Sequence, residues 1–533
     1  MSKRRLAVWL LLAVSSLPLH LLYNSVVFQT TATNAVDMTM INESFLSTRG
    51  GWKLEDGDDE YRPHFQALQD TFLEKQNLSA TPFQNISATV CIHRYQTAFI
   101  RAGNGFPVMA TNYSEETGGA IGNSSLLAYG MNITEMWFGP KFVSHLLYCL
   151  SEYSPERCQV QLNQSILYIV IACNILTTTL MLMILGWMND ETIVTVGDAI
   201  QTFILTPDIS TQDCCLMTIH DKISEARRLY HHQPGNNVRW YSVVSGKRWF
   251  CLLFVYSMII ATALYFYSSI DRRWVTCTDP GASEFKVDQI CRWNGFGNVS
   301  FRFILDVYLG SKSLIPYVLV ANAPQVVISL VYITYNGLFT TMLANREWAS
   351  YVHKRAALRV TFPASTQRST YFLSLPYKFS LPLIVASILL HWFISQTLFI
   401  APIAVYKNGV LEPTLRDWFH HEGASGSLTG LGFSDSALLA AIIMGCLLVA
   451  ACLTIAGFCK YPTDMPLGGT NSAVISAACH IKHRYGGKVE GLDDVVERPL
   501  KWGVTIEGTK DQVGHCSFSD KAVQKPVEGC LYA

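Results

Sequence analysis

Six long apolar runs constrain the fold of this chain more than any other feature of its sequence. They cover residues 6–28, 165–187, 250–270, 314–340, 379–406 and 436–458, and the last five contain no Asp, Glu, Lys or Arg. A helix crosses the hydrocarbon core of a bilayer with about 17 to 25 apolar residues. The runs therefore predict an all-α membrane protein built as a bundle of about six transmembrane helices.

The composition agrees with lipid as solvent and makes the lipid bilayer the first expected partner. Half of the residues are hydrophobic and 15% are charged, whereas soluble proteins carry about 25% charged residues. Lys plus Arg and Asp plus Glu are both 40, so no net charge favours nucleic acid as a partner. A protein partner or a small-solute partner stays open.

Charge and glycosylation signals together predict the orientation. Lys3, Arg4 and Arg5 precede the first run, and basic residues favour the cytosolic side. Both termini are then cytosolic, and residues 29–164, 271–313 and 407–435 lie outside. Every Asn-x-Ser/Thr glycosylation acceptor falls in these outside segments. The acceptors are Asn42, Asn77, Asn85, Asn112, Asn123, Asn132, Asn163 and Asn298.

Four regions follow from this topology. Residues 1–28 form a signal anchor or first span, and 29–164 form a small glycosylated extracytoplasmic module. Residues 165–458 form a five-span membrane bundle with loops, and 459–533 form a cytosolic tail of irregular structure. A basic start before an apolar run also describes a signal peptide, so cleavage of the first run stays open. The predicted location is the plasma membrane or the secretory pathway.

The exterior module is expected to be partly β or irregular and braced by disulfides. Alternating residues over 88–110 predict short strands around a Gly-Asn-Gly turn. Cys149 with Cys158 and Cys277 with Cys291 bracket short outside segments and are the disulfide candidates. This scheme leaves Cys91 unpaired, and other pairings stay open.

On the cytosolic side, the segment TIVTVGDAIQTFIL at 192–205 has apolar residues at helical spacing. It predicts a short amphipathic helix that lies at the membrane surface or packs on the cytosolic ends of the spans. The two alternatives stay open.

The search for chemistry finds no catalytic constellation, so we expect no enzyme, no cofactor and no metal. Soft metal ligands are present in the tail, but their spacing fits no standard zinc module. These ligands are Cys479, His480, His483, His515 and Cys516.

A polar stripe runs along the fourth span. Its members Asn322, Gln325, Ser329, Tyr332 and Asn336 recur at spacings of three and four, which places them on one helix face. On the fifth span, His391 and Ser395 form a second polar face at a spacing of four. Polar side chains in hydrocarbon need partners, so these faces meet other helices or a hydrated pathway. Both readings stay open.

Several phrases, once the spans are placed, are specific in combination. They are YCLSEYSPERC at 148–158, VGDAIQTFILTPD at 196–208, ANAPQ at 321–325, YNGLFT at 335–340, QRSTYFLSLPY at 367–377, HWFISQ at 391–396, ISAACH at 475–480 and VGHCSFS at 513–519. Together they resemble a family of uncharacterised multi-pass membrane proteins of filamentous fungi, whose N-terminal region is known only as a domain of unknown function. The resemblance covers nearly the whole chain and implies membrane residence and fungal origin. It implies no activity, substrate or catalytic residue.

Longer relatives carry an additional upstream membrane segment, so the chain resembles a member that lacks it. The tail phrase GGTNSAVISAACH departs from the family by lacking a cysteine and a following proline. This departure weighs further against a metal site.

The leading hypothesis is a receptor-like or scaffolding membrane protein of a fungal surface or secretory membrane. The alternative is a transporter or channel for a small solute that uses the polar faces of spans four and five. A membrane-embedded enzyme acting on lipid or glycan is third, because no acid, base or metal set is found within the spans.

Overall fold

The structure is a computed structural model that describes part of the chain, including the six predicted spans. The described residues are 3–34, 36–42, 63, 66, 70, 83–95, 103–111, 120–126, 146–153, 157–187, 193–223, 228–231, 238–271, 296, 304–305, 314–371, 375–407, 410–411, 427–461, 464–482 and 491–533. The chain forms two compact units. The first unit comprises Met1–Leu182, Tyr265–Val326 and Trp392–Ala441, and the second comprises Met183–Leu264, Val327–His391 and Ile442–Ala533.

Ten helices are present in the described residues, and six of them are long and apolar enough to cross a membrane. They are α1 Lys3–Leu22, α2 Ala88–Tyr95, α3 Gln164–Trp187, α4 Val196–Leu205, α5 Gly246–Asp271, α6 Ile315–Ser350, α7 Tyr377–Thr397, α8 Asp435–Phe458, α9 Ser472–Ala478 and α10 Leu492–Glu497. The six spanning candidates are α1, α3, α5, α6, α7 and α8. Each falls on one of the six apolar runs, which confirms the prediction of a helical membrane protein.

Three span boundaries differ from the sequence-based prediction. The first run was extended too far, because α1 ends at Leu22 and a strand begins at Val27. The fifth was also too long, since α7 ends at Thr397 and the apolar residues after it form a strand. The fourth predicted span is too short, because α6 continues to Ser350 through the charged residues Arg346 and Glu347.

The strands of the first unit form two sheets, and the second unit adds short strand pairs. The strands are β1 Val27–Asn34, β2 Val36–Asn42, β3 Phe83–Ser87, β4 Gly103–Thr111, β5 Ala120–Leu126, β6 Leu146–Tyr153, β7 Cys158–Leu162, β8 Arg228–Leu229, β9 Ile304–Leu305, β10 Arg359–Val360, β11 Arg368–Ser369, β12 Leu398–Lys407, β13 Val410–Leu411, β14 Ser427–Phe433, β15 Lys501–Ile506, β16 His515–Ser519 and β17 Leu531–Tyr532.

A six-stranded sheet in the first unit is joined directly to the ends of four spans. Its order is β7-β1-β12-β14-β9 with β13 on β12, and only β1 and β12 run parallel within it. Helix α1 leads into β1, β7 leads into α3, α7 leads into β12 and β14 leads into α8. At the α7 and α8 ends, the Ser434 amide donates to the Thr397 carbonyl at 2.9 Å. The sheet is therefore continuous with the spans.

A five-stranded sheet of order β3-β6-β4-β2-β5 is formed by residues of the predicted exterior module. The β part of the module prediction is confirmed, but the elements differ in detail. Residues 88–95 form helix α2 rather than a strand, and the Gly-Asn-Gly segment begins β4. Buried Cys91 of α2 forms a disulfide with buried Cys149 of β6, with the Cα atoms 5.9 Å apart. The predicted Cys149–Cys158 pairing is therefore wrong, and Cys277 and Cys291 lie outside the described residues.

The predicted irregular tail is instead a folded part of the second unit. Residues of α4, α9, β15 and β16 share one apolar core that contains Ile200, Trp348, Val474 and Phe518. Helix α4 packs on α9, α10 and β10, so its apolar face is buried in protein. Ile193, which precedes α4, has an exposed apolar side chain. The apolar periodicity predicted this helix. The burial of its apolar face favours packing on protein over lying at the membrane surface.

Candidate functional site

Two residues of the polar stripe, Asn322 and Gln325, lie in the first unit. Both are buried and hydrogen-bonded to residues that directly follow α1. Asn322 Nδ2 donates to Ser25 Oγ at 2.8 Å and to the Val318 carbonyl at 3.0 Å. Asn24 Nδ2 donates to Gln325 Oε1 at 2.6 Å. Asn322 and Gln325 are 4% and 5% exposed, so these amides meet protein.

Apolar packing surrounds these polar contacts. Leu22 and Val26 pack with Ile166 and Val170 of α3 and with Val318 of α6. The Asn322 and Gln325 amides of α6 thus lie next to the apolar contact between α3, α6 and the residues around the end of α1. A buried amide whose groups are paired avoids the large cost of leaving them unpaired in hydrocarbon.

The remaining stripe residues belong to the second unit or to the next span. Ser329, Tyr332 and Asn336 are half-buried, as is His391 of α7. Ser395 donates its hydroxyl to the Trp392 carbonyl of its own helix at 2.7 Å. All five stripe residues lie within α6, and burial is deepest at the Asn322 end of the stripe.

The predicted glycosylation acceptors are placed unevenly. Asn85 lies in β3 with an exposed side chain, whereas Asn163 accepts a hydrogen bond from the Ile166 amide at 3.1 Å and caps α3. The backbones of Asn42 and Asn123 lie in β2 and β5. Asn77, Asn112, Asn132 and Asn298 lie outside the described residues.

A cluster of thiols and imidazoles in the second unit was missed by the sequence reasoning as a group. Cys215 follows a 3-10 turn at Ile209–Thr211, while His515 and Cys516 begin β16. Cys215 and Cys516 belong to the same buried core, and Cys516 and His515 are the groups that lower the pKa of Cys215. Cys215, His515 and Cys516 are 1%, 2% and 0% exposed.

Two backbone carbonyls hold the His515 ring in place. Its Nε2 lies 2.6 Å from the His480 carbonyl oxygen, and its Nδ1 contacts the Ala533 carbonyl oxygen. A carbonyl oxygen only accepts, so these two contacts favour hydrogens on the ring nitrogens of His515. Burial lowers the pKa of His515, but its contacts with Cys215, Ala533 and His480 outweigh that effect and raise the pKa overall.

His480 has different hydrogen-bond partners from His515. Its Nε2 lies 3.0 Å from Thr211 Oγ1, which is also 2.7 Å from Ser476 Oγ. Burial lowers the pKa of His480, and the nearby charge of His515 lowers it further. The pKa values of the two imidazoles are therefore displaced in opposite directions.

The thiols are likewise distinguished by their surroundings. The hydrogen bond from the Cys516 thiol, together with the His515 contact, lowers the pKa of Cys215 to about 5 despite burial. Burial and the adjacent Cys215 raise the pKa of Cys516. The pKa values of the two thiols are therefore displaced in opposite directions.

Across the described ranges, no three His, Cys, Asp or Glu side chains are arranged to hold a metal ion. His483 lies outside those ranges, and Cys479 is fully buried in the apolar core. The signals that could have revealed the cluster are the Cys214–Cys215 pair and the His515–Cys516 pair, but nothing in their spacing joins them.

The six apolar helices and the sheet that continues four of them define an integral membrane protein of the helical class. The family model "Domain of unknown function (DUF8419)" matches residues 220–532, more than half of the chain, and the chain belongs to that family. The model "Family of unknown function (DUF6536)" matches residues 1–30. No curated protein and no solved structure matches the chain.

Proposed function

We propose that the chain is a non-enzymatic, receptor-like or scaffolding protein of a cell-surface or secretory-pathway membrane. The observation that carries the proposal is the pairing of Asn322 and Gln325 with Ser25 and Asn24. The most deeply buried end of the stripe joins α6 to the residues that follow α1. Hydrogen bonds of this kind are expected where polar residues hold a helical bundle together.

The six-stranded sheet supports the same proposal. Four spans enter or leave its strands directly, and β12 pairs with β14 over seven residue pairs. A span that continues into a paired strand cannot rotate freely about its axis. Its distance from the neighbouring span is also restricted. Such a frame suits presentation of the adjoining sheet module or transmission of a contact made there.

The proposed topology places the disulfide-braced sheet outside and both termini in the cytosol. It rests on the basic residues before α1 and on the one-sided acceptor sites. The Cys91–Cys149 disulfide fits an oxidising exterior.

The test compares Asn322→Leu and Gln325→Leu with Thr340→Leu in detergent-purified full-length protein. Thr340 is exposed and its hydroxyl donates to the Asn336 carbonyl of its own helix, so it is a matched control. We expect the first two variants to lose monodispersity or melt at a lower temperature, while the control keeps both properties.

The competing transporter or channel function predicts the opposite result. Leucine would then replace amides that line water, and the folded protein would persist unchanged. Proteoliposomes loaded with potassium and a small neutral dye provide the second measurement. A leak that Asn322→Leu abolishes without unfolding would overturn the scaffolding proposal.

A further inference from the structure

Three exposed apolar residues lie beside the start of α4 in the second unit. They are Ile193, Val194 and Phe362, which are 54%, 64% and 79% exposed, and we call them the apolar patch. Large apolar side chains that are exposed together mark a contact surface, whereas single ones scattered over a protein do not. The proposed function gives the apolar patch no role.

Hydrogen bonds to one carboxylate bring the two segments of the apolar patch together. The Asp198 carboxylate accepts from the Val194 amide at 3.2 Å and from the Thr361 amide at 2.7 Å. Phe362 directly follows Thr361. The first segment, Ile193 with Val194, and the second segment, which carries Phe362, are therefore fixed to the same acceptor. The apolar patch is a feature of the folded unit.

The first segment of the apolar patch is tethered to the end of a spanning helix. Helix α3 ends at Trp187, six residues before Ile193. A chain of this length reaches at most about 20 Å, even when it is fully extended. Ile193 therefore lies close to the point at which α3 leaves the bilayer.

The second segment is linked to the start of another spanning helix. Helix α7 has 21 residues, so it is about 31 Å long and just crosses a hydrocarbon core of about 30 Å. Its first residue, Tyr377, therefore lies at the membrane–water interface, where tyrosine is enriched. The Tyr377 and Tyr371 ring centres are 6.1 Å apart, and the Arg359 guanidinium carbon lies 3.9 Å from the Tyr371 ring centre. Because Arg359 precedes Phe362 by three residues, the second segment also lies near the interface.

The charge around Phe362 suits the headgroups of anionic lipids. Arg359 is already paired with Glu347, whose Oε1 lies 3.7 Å from Arg359 Nε. Arg368, the strand partner of Arg359, is exposed and forms no ion pair with the acidic residues that the structure describes. Residues 359–371 contain no Asp or Glu. Basic residues beside exposed apolar side chains are typical of contact with an anionic membrane surface.

We propose that the apolar patch is a membrane-docking surface, which enters the headgroup layer of the bilayer around α3 and α7 while Arg368 contacts the phosphates of anionic lipids. The occupant is lipid, because both segments of the patch are joined to the ends of spanning helices. Asp190 and Glu191 precede the first segment, so the preference for anionic lipid is assigned to Phe362 and Arg368 alone. This surface lies beyond the scaffolding role, and it depends neither on that role nor on the side of the membrane that it faces.

The primary experiment places a photo-crosslinker on the apolar patch of the full-length protein in nanodiscs of phosphatidylcholine and phosphatidylserine. The variant is Phe362→p-benzoylphenylalanine, and the control is Ile209→p-benzoylphenylalanine. Ile209 is apolar and 84% exposed, and it follows the opposite end of α4 from the patch. After illumination, mass spectrometry should find lipid adducts at position 362 in several-fold higher yield than at position 209.

A second comparison tests the charge of Arg368. In the Phe362 crosslinking variant, nanodiscs that contain phosphatidylserine should give several-fold more lipid adduct than nanodiscs of phosphatidylcholine alone. Arg368→Gln in the same background should remove this increase. Lys510→Gln, which changes an exposed cation between β15 and β16, should keep it. An equal yield in both kinds of nanodisc would overturn the role of Arg368.

Equal lipid adducts at positions 362 and 209 would overturn the proposal, because the apolar patch would have no special contact with the bilayer. A crosslinked dimer in place of the lipid adduct would also overturn it, since the occupant would then be a second copy of the chain. A third measurement uses the unmodified protein and so does not depend on the folding of any variant. In nanodiscs that contain a diazirine phospholipid, labelling of the peptide with Phe362 supports the proposal. Absence of that label, while peptides of the spans are labelled, would contradict it.

Discussion

Asn322 on α6 donates its side-chain amide to Ser25, in the 3-10 turn Tyr23–Ser25 that follows α1, across 297 positions of the sequence, at 2.8 Å. Both side chains are buried. The bond joins the fourth span to the turn between the first span and β1, so it fixes the point at which a helix becomes a strand.

A double-mutant cycle on this pair should give a small but measurable coupling. Asn322→Ala and Ser25→Ala should each lower stability, and the double variant should lose less than the sum. Coupling energies of hydrogen bonds between membrane helices average about 0.6 kcal/mol, with an upper limit of about 1.7 kcal/mol. Thermal midpoints in a fixed detergent measure the cycle, and strict additivity would show that the pair contributes nothing.

Asp198 should contribute strongly to the second unit. Its carboxylate accepts from the Thr361 amide at 2.7 Å, the Thr361 hydroxyl at 2.7 Å and the Thr195 amide at 2.9 Å. Asp198→Asn keeps one acceptor oxygen and loses the other, so we expect a loss of about 1–3 kcal/mol. Asp494→Asn is the control because its side chain is 76% exposed. Equal stability of both variants would contradict the prediction.

The same carboxyl gives a pH dependence with a defined sign. Burial raises the pKa of Asp198, but hydrogen bonds from Thr361 and Thr195 outweigh it and lower the pKa from its ordinary value of 3.8. A lowered folded-state pKa means that the stabilisation is complete above the unfolded-state value and is lost as the pH falls below it. Unfolding measured from pH values near neutral downward should show this loss, and Asp198→Asn should flatten the acid limb.

Gly197 should not tolerate a methyl group. A Cβ atom there would lie 2.1 Å from the Arg359 carbonyl oxygen, because α4 packs directly on the β10 backbone. Overpacking against a backbone costs about 1–3 kcal/mol or more. Gly337→Ala is the control, since its Cβ would meet nothing within 4 Å. We expect only Gly197→Ala to lower the melting temperature, and an unchanged Gly197→Ala variant would contradict the close packing.

The proposed topology predicts glycan attachment on the exterior module. Treatment of the expressed protein with an endoglycosidase should increase its gel mobility by several steps, and Asn85→Gln should remove one step. Asn163→Gln should have no such effect if the capping bond to Ile166 and the nearby membrane exclude modification. Absence of any shift in the unmodified protein would contradict the topology.

The sequence was sufficient for the spans because hydrocarbon demands long uncharged runs whatever the partners are. It was insufficient for residues 398–406, which are as apolar as the span before them and form β12. A strand and a helix buried in apolar surroundings have similar compositions. The end of α6 was missed for the opposite reason, since Arg346 and Glu347 continue the helix outside an apolar window.

The candidate sites show the same division between local and distant information. Spacing along one helix placed the polar stripe on one face, but Ser25 and Asn24 are contributed by another span. The disulfide joins Cys91 to a cysteine 58 positions away, and the His515 ring meets the His480 carbonyl, 35 positions away, only through the fold. Pairings of this kind depend on tertiary packing that no periodicity records.

The direct passage of α7 into β12 and of β14 into α8 has a mechanical consequence. These two helices are joined by the antiparallel pair of β12 and β14, and the Ser434 amide also donates to the Thr397 carbonyl where the two helices meet the strands. Torsion applied to one helix at this end is resisted by the strand ladder and passes to the other. The pair should therefore turn as one stiff body, and independent swivelling of either helix would require breaking the ladder first.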